Sequence, residues 1–217
     1  MQKLLIVLLF VSTLAASAFG KSVDAEANAA AERILPKVIE WRRHLHQYPE
    51  LSNRETKTAK YVEDHLRRLG LEVRTGIAKT GVVGILKGAL PGATVGLRAD
   101  MDGLPVTERN SLPYASKETA EYNGQKVGVM HACGHDTHVA MLLGAAEVLN
   151  GMKSKIRGTV VFIFQPAEEG APAGEQGGAE LMVKEGVMDN PKIDAIFGIH
   201  INSQTEIGKI KYKSGAM

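Results

Sequence analysis

Apolar residues recur along this chain at two different spacings, and each spacing predicts a different element. Across residues 24–47, which begin Ala-rich, Ile34, Val38, Trp41 and Leu45 fall three or four apart, the period of a helix. Pro36 lies inside that stretch and predicts a kink or a restart. A turn at Tyr48-Pro49-Glu50 closes it. Ser52 and Glu55 then stand as N-cap and N3 of a capping box, opening a second helix. Its stripe is Ala59, Val62, Leu66 and Leu69, with Gly70 where a left-handed terminal residue is wanted. Residues 71–74, 81–86 and 94–99 read as strands, and 107–130 as irregular. A third helix starting near Asp136 carries Val139, Leu142, Leu143, Ala146 and Leu149 on one face. The run 159–164 is continuously apolar and β-branched or aromatic, as in a strand buried on both faces, and 193–199 reads as another buried strand. Between them lie a Gly-, Pro- and Glu-rich loop (165–178) and a short helix (179–185). Strands alternating with helices predict an α/β layered domain with a mostly parallel central sheet flanked by helices.

Composition adds little to that picture and removes some options. Hydrophobic residues make up 44% of the 217 and charged residues 23%, as in ordinary globular domains. A net charge of +2 gives no electrostatic reason to expect a nucleic acid or an anionic membrane as partner. Residues 1–20 follow the layout of a secretory signal peptide: Lys3, an apolar run over 4–14, then Ala16-Ser17-Ala18 as a cleavage site. The run is short of the roughly 20 apolar residues of a membrane span. An uncleaved anchor is the rival reading; the expected location is secreted or periplasmic. The one cysteine, Cys133, cannot form an internal disulfide, so it is a buried apolar residue, half of an intermolecular bridge, or chemically employed.

Its neighbours favour chemistry. His131-Ala132-Cys133-Gly134-His135-Asp136-Thr137-His138 crowds three imidazoles, a thiol and a carboxylate just before a helix. Residues two apart in extended chain share a side, so Cys133 and His135 can face one point, and thiolate with imidazole suits zinc-like divalent cations. A His-rich polar loop and a cysteine nucleophile with a histidine base are the alternatives. Glu168 and Glu169 follow the 159–164 strand. In extended chain they would point oppositely, one to a metal and one to water as a general base. His200 ends the last strand, and Asp100 and Asp102 end the one at 94–99. Three strands therefore deliver polar groups to one sheet edge, where open α/β sheets bind ligands. His44 and His46 read as structural; His131 and His138 read as packing or supporting residues.

The motifs WRRHLHQYPELSNRE, LRADMDGLPV, VMHACGHDTHVAMLLGAA, FQPAEEG and IFGIHI, in this order from about residue 35 onward, resemble the M20 metallopeptidase/amidohydrolase family. The similarity is to its hippurate hydrolase, N-acyl-amino-acid amidohydrolase and auxin-conjugate hydrolase branch. That resemblance implies two divalent ions, zinc or manganese, with cobalt and nickel as alternatives. It implies Cys133 as the bridging ligand, His135 and His200 on one ion, Glu169 on the other, and Glu168 as general base and acid. Asp102 matches the acid of the H-x-D-x-x-P motif that orients a ligand, while Asp100 replaces that motif's histidine and is doubtful as a ligand. The implied substrate is an N-acyl amino acid or small peptide. Family members run to about twice this length, adding a lid domain that forms a homodimer and a return segment that supplies a last histidine. The expectation is thus a signal peptide (1–20) followed by the N-terminal part of a catalytic domain (21–217), truncated before the lid. One metal site would lack a ligand and sheet edges would be uncovered. The alternative is an inactive metal-binding fragment.

Overall fold

The computed structural model describes residues 2–212, with side chains from residue 23. The signal peptide expected at 1–20 lies outside the residues whose side chains are described. Among the described residues no helix is long and apolar enough to cross a membrane.

Helices α1 (Gln2–Gln47) and α2 (Thr56–Arg68) precede three strands, β1 (Glu72–Ile77), β2 (Gly81–Lys87) and β3 (Leu90–Asp100). A small hairpin follows, β4 (Thr119–Tyr122) and β5 (Gln125–Gly128), then α3 (His135–Gly151), β6 (Arg157–Gln165), α4 (Gly178–Lys184) and β7 (Ala195–Gly198). The main sheet has the order β1-β2-β6-β3-β7. β3 pairs in parallel with both β6 and β7, so all three end at the same edge. β1 and β2 add antiparallel ladders on the far side. The expected α/β layered domain is the fold that forms.

Period-two alternation on the inner strands explains why they read as unbroken apolar runs. Val160, Phe162 and Phe164 of β6, with Val82 and Leu86 of β2, face a core shared with α1, α2 and α3 through Leu45, Val62, Leu66, Val139 and Leu143. Val161, Ile163, Val83 and Ile85 face the opposite layer, where Met182, Val187 and Ile193 cover them. Each inner strand is therefore apolar on both sides.

Several local expectations fail for identifiable reasons. α1 runs through Pro36 as one helix. The capping box does not form: Glu55 occupies the N-cap position of α2 without a side-chain capping bond. Glu50 does that work instead, accepting from the N–H groups of Lys57 at 3.2 Å and Thr58 at 2.8 Å. The irregular stretch hides the β4–β5 hairpin, turned at Asn123-Gly124 with both residues at positive φ, the signature of a two-residue type I′ turn. β7 is exposed rather than buried, with Phe197 at 61% exposure. Among the described residues it pairs with β3 alone, at the margin of the sheet.

Candidate metal centre

The parallel register sets the height of each polar group at the common edge. Asp100 pairs with Gln165 across β3 and β6, and Met101 N–H donates to the Gln165 carbonyl at 2.9 Å. Asp102 therefore sits beside the loop that leaves β6. Its side chain accepts from Ser52 Oγ at 2.7 Å, Glu168 N at 3.1 Å and Glu169 N at 3.0 Å. Burial alone would raise the Asp102 carboxyl; His135, Ser52 and those two N–H groups outweigh it and hold it below the usual range.

His135 opens α3 after Gly134, which adopts φ +85°. Any side chain at Gly134 would be strained by that φ, and its Cβ would lie 2.0 Å from Ile201 Cδ1. The turn buries His135 completely. Its Nδ1 donates to the Asp102 carbonyl at 2.9 Å, which leaves a lone pair on Nε2. Among the described residues that Nε2 is buried without a hydrogen-bond partner. Around it lie Glu168 Oε2 at 3.5 Å, Glu169 Oε1 at 3.7 Å and Asp100 Oδ1 at 3.7 Å. Burial disfavours a charge on this ring, but the Asp102 hydrogen bond and the surrounding carboxylates raise its pKa.

Donor atoms of Cys133, His135 and Glu169 lie within 4.8 Å of one another, and a second such group joins Asp100, His135, His138 and His200. Cys133 Sγ is 3.5 Å from His200 Nε2, while His200 Nδ1 donates to the Ile201 carbonyl at 2.5 Å. The structure thus brings together the four expected ligands, the expected base Glu168, and Asp102. Burial, then the Glu169, Glu168 and Asp100 carboxylates, push the Cys133 thiol up to about 11.

The second group offers fewer free donors than its membership suggests. His138 Nδ1 donates to Asp100 Oδ1 at 2.5 Å and its Nε2 accepts from Ile201 N–H at 2.9 Å. Asp100 Oδ2 accepts from Arg98 at 2.5 Å. Burial alone would raise Asp100; the His138 hydrogen bond, His135 and Arg98 instead hold it at about 2. Asp100 and His138 thus brace one another.

Glu168 and Glu169 do not diverge as extended chain would require. Ala167 takes φ +49°, so the segment turns and both carboxylates approach His135. Sequence reasoning also missed Ser52 and Glu55, whose spacing imitated a helix cap. His46, read as structural, is buried and donates to Asp136 Oδ2 and Glu108 Oε1, each at 2.9 Å. Asp136, chiefly, and Glu108 raise its pKa against its burial. His131 is buried with neither ring nitrogen partnered among the described residues, and burial pushes it down to about 4.

The donor set fits divalent cations. One buried imidazole lone pair lacks a partner, a thiol lies alongside, and carboxylates crowd the same space; mixed N, S and O donors of this kind suit zinc-like ions. Residues 96–215, more than half of the chain, match Peptidase family M20/M25/M40. The chain belongs to that family. It is 49% identical over 179 residues to thermostable carboxypeptidase 1 of Saccharolobus solfataricus, covering 82% of this chain and 42% of that protein. With the N-acyl-L-amino acid amidohydrolase of Geobacillus stearothermophilus it shares 45% identity over 192 residues, covering 88% of this chain and 48% of the relative. The crystal structure of the YXEP protein of Bacillus subtilis, described as a dinuclear metal-binding peptidase of the M20 family, superimposes with a TM-score of 0.71. The two are 39% identical, over 87% of this chain and 48% of that one. This M20 chain spans less than half the length of these relatives.

Proposed function

We propose that this chain carries the metal-binding half of a hydrolase that cleaves the amide bond of N-acyl amino acids or small peptides. The observation that carries the reading is the unpartnered, buried Nε2 of His135, ringed by carboxylates and a thiol. Cys133, His135, Glu169 and His200 would hold two divalent cations, zinc or manganese. When bound, these ions would polarise the amide carbonyl and make water acidic enough to attack near neutral pH.

The protein's own groups divide the remaining work. Glu168 is partly exposed and close to His135, and no lysine or arginine among the described residues pairs with it. Its carboxylate would take a proton from the attacking water and return it to the leaving amine nitrogen. Asp102 holds the backbone of both glutamates, so the base and its neighbour move as one unit. Cys133 serves as a ligand rather than a nucleophile, because its surroundings keep the thiol protonated unless a cation displaces the proton. Export to the periplasm or beyond, after cleavage near Ala18, is part of the same proposal.

A second reading is a chain that binds metal without turnover. It is favoured by the exposure of Phe197, Ile199 and His200, which leaves water free access to one flank of the site. The test is metal content of the purified chain together with hippurate hydrolysis with and without a chelator. Chelator-sensitive hydrolysis supports the enzyme, and metal without hydrolysis supports the second reading. Hydrolysis that survives chelation but is lost on thiol alkylation would sink both.

A further inference from the structure

We propose that Glu55, at the head of α2, is a positioning residue for Glu168 and Glu169: its buried carboxylate holds the Ala167 N–H and so fixes the turn that aims both acids at His135. The inference rests on the metal-centre reading above for what that turn serves.

Glu55 is 0% exposed, an expensive place for a carboxylate unless its oxygens are satisfied. Its position in the helix gives no reason for that burial, because its side chain caps nothing and Glu50 satisfies the first N–H groups of α2. Both of its oxygens are engaged elsewhere. Oε2 accepts from Thr80 Oγ1 at 2.6 Å, and Oε1 accepts from Ala167 N at 2.8 Å, 112 residues away in sequence.

Ala167 is the residue that needs holding. It sits buried in the left-handed region, which a residue with a Cβ adopts only under constraint. The next two N–H groups, of Glu168 and Glu169, go to Asp102. Three successive backbone donors are thus captured by two buried carboxylates, one from the head of α2 and one from beyond the end of β3. With Asp102 alone, the segment would be held on one side, and Ala167 could relax to an extended conformation that turns the glutamates apart.

The test is zinc titration of the full 217-residue chain by calorimetry, with amide hydrogen exchange of the metal-free chain alongside. Glu55→Ala is expected to weaken zinc binding about 10- to 100-fold, the usual effect of losing a group that orients a ligand. Exchange at residues 167–169 should accelerate in the same variant. Glu55→Gln, which keeps an oxygen facing Ala167, should retain most of the affinity. Adding Ala167→Gly to Glu55→Ala should recover part of it, since glycine adopts positive φ freely. A role confined to stability would lower the melting temperature yet leave zinc affinity and 167–169 exchange of the folded variant at wild-type values, and that result overturns the proposal. Should Glu55→Ala fail to fold, Thr80→Val removes the hydroxyl that steadies the carboxylate; unchanged affinity and exchange there overturn it equally. A wild-type chain that takes up no zinc sinks the metal-centre reading instead, and the exchange measurement then decides by itself whether Glu55 holds the turn.

Discussion

Replacing Asp102 with alanine should damage stability and metal binding together, and the structure sets the size of both effects. The carboxylate is buried and accepts from Ser52 Oγ, Glu168 N and Glu169 N, with His135 Nδ1 at 3.4 Å from Oδ1. Stranding a buried donor costs about 1–3 kcal/mol. Three stranded donors would cost about 3–9 kcal/mol if additive, but the 168–169 segment can turn toward water, so the lower end, about 3 kcal/mol, is expected. For a chain of this size that is a fall of roughly 6–12 °C in melting temperature. Loss of the orienting acid should also weaken zinc binding about 10- to 100-fold. Acidity supplies a check on the cause. The Asp102 pKa is lowered on folding, so its contribution is present above the unfolded value near 4 and is lost as pH falls through the folded value. Wild type and Asp102→Ala should therefore converge in stability as the pH drops below about 4. Circular dichroism melts across pH, paired with calorimetry, read both quantities. A variant that melts within about 2 °C of wild type at pH 7 and binds zinc equally well would refute the reasoning.

Three further outcomes follow from the same structure. Phe162→Ala empties a fully buried position in the core beneath α1 to α3 and should cost about 3–5 kcal/mol in urea denaturation; a loss under about 1 kcal/mol would mean the core is not packed as described. Glu168→Gln should leave metal stoichiometry unchanged while lowering hippurate turnover about 10²- to 10⁴-fold in any preparation that shows it, and intact turnover would remove Glu168 from the proton path. Because the Cys133 thiol lies at about 11, it is protonated at pH 7 before a cation arrives. Zinc uptake should then release at least about one proton, read from calorimetric enthalpies in buffers of different ionisation heat, and affinity should rise with pH. Release of no proton would exclude thiolate ligation.

Much of this was readable from residue spacing, and the failures share a cause. Val160, Phe162 and Phe164 against Val161 and Ile163 could be recognised as a doubly buried strand because both faces are apolar. The polar residues beyond strand ends could be assigned to one edge because β3, β6 and β7 run parallel. What stayed hidden depends on contacts distant in sequence. Ser52 and Glu55 carry a local cap signal, yet they reach Asp102, 50 residues on, and Ala167, 112 residues on. A pattern rule cannot weigh such partners against the helix end between them. The turn at Ala167 was invisible because no glycine or asparagine marks its positive φ. The β4–β5 hairpin escaped because its strands are short and have one-sided or no burial, so only Asn123-Gly124 announced it. β7 was misjudged because an apolar sequence states a preference for cover, whereas its exposure is decided by what lies beside it.

One consequence of the His135 geometry concerns the order of loading. With Nδ1 committed to the Asp102 carbonyl, the ring has a single electron pair to give, although it belongs to both donor groups. If two ions bind as proposed, they could not both draw on that pair. The first would take it, and the second would rely on the remaining thiolate, glutamate and His200 contacts. Filling this centre should therefore be a two-step process with unequal affinities, in which occupancy of one seat decides how attractive the other becomes.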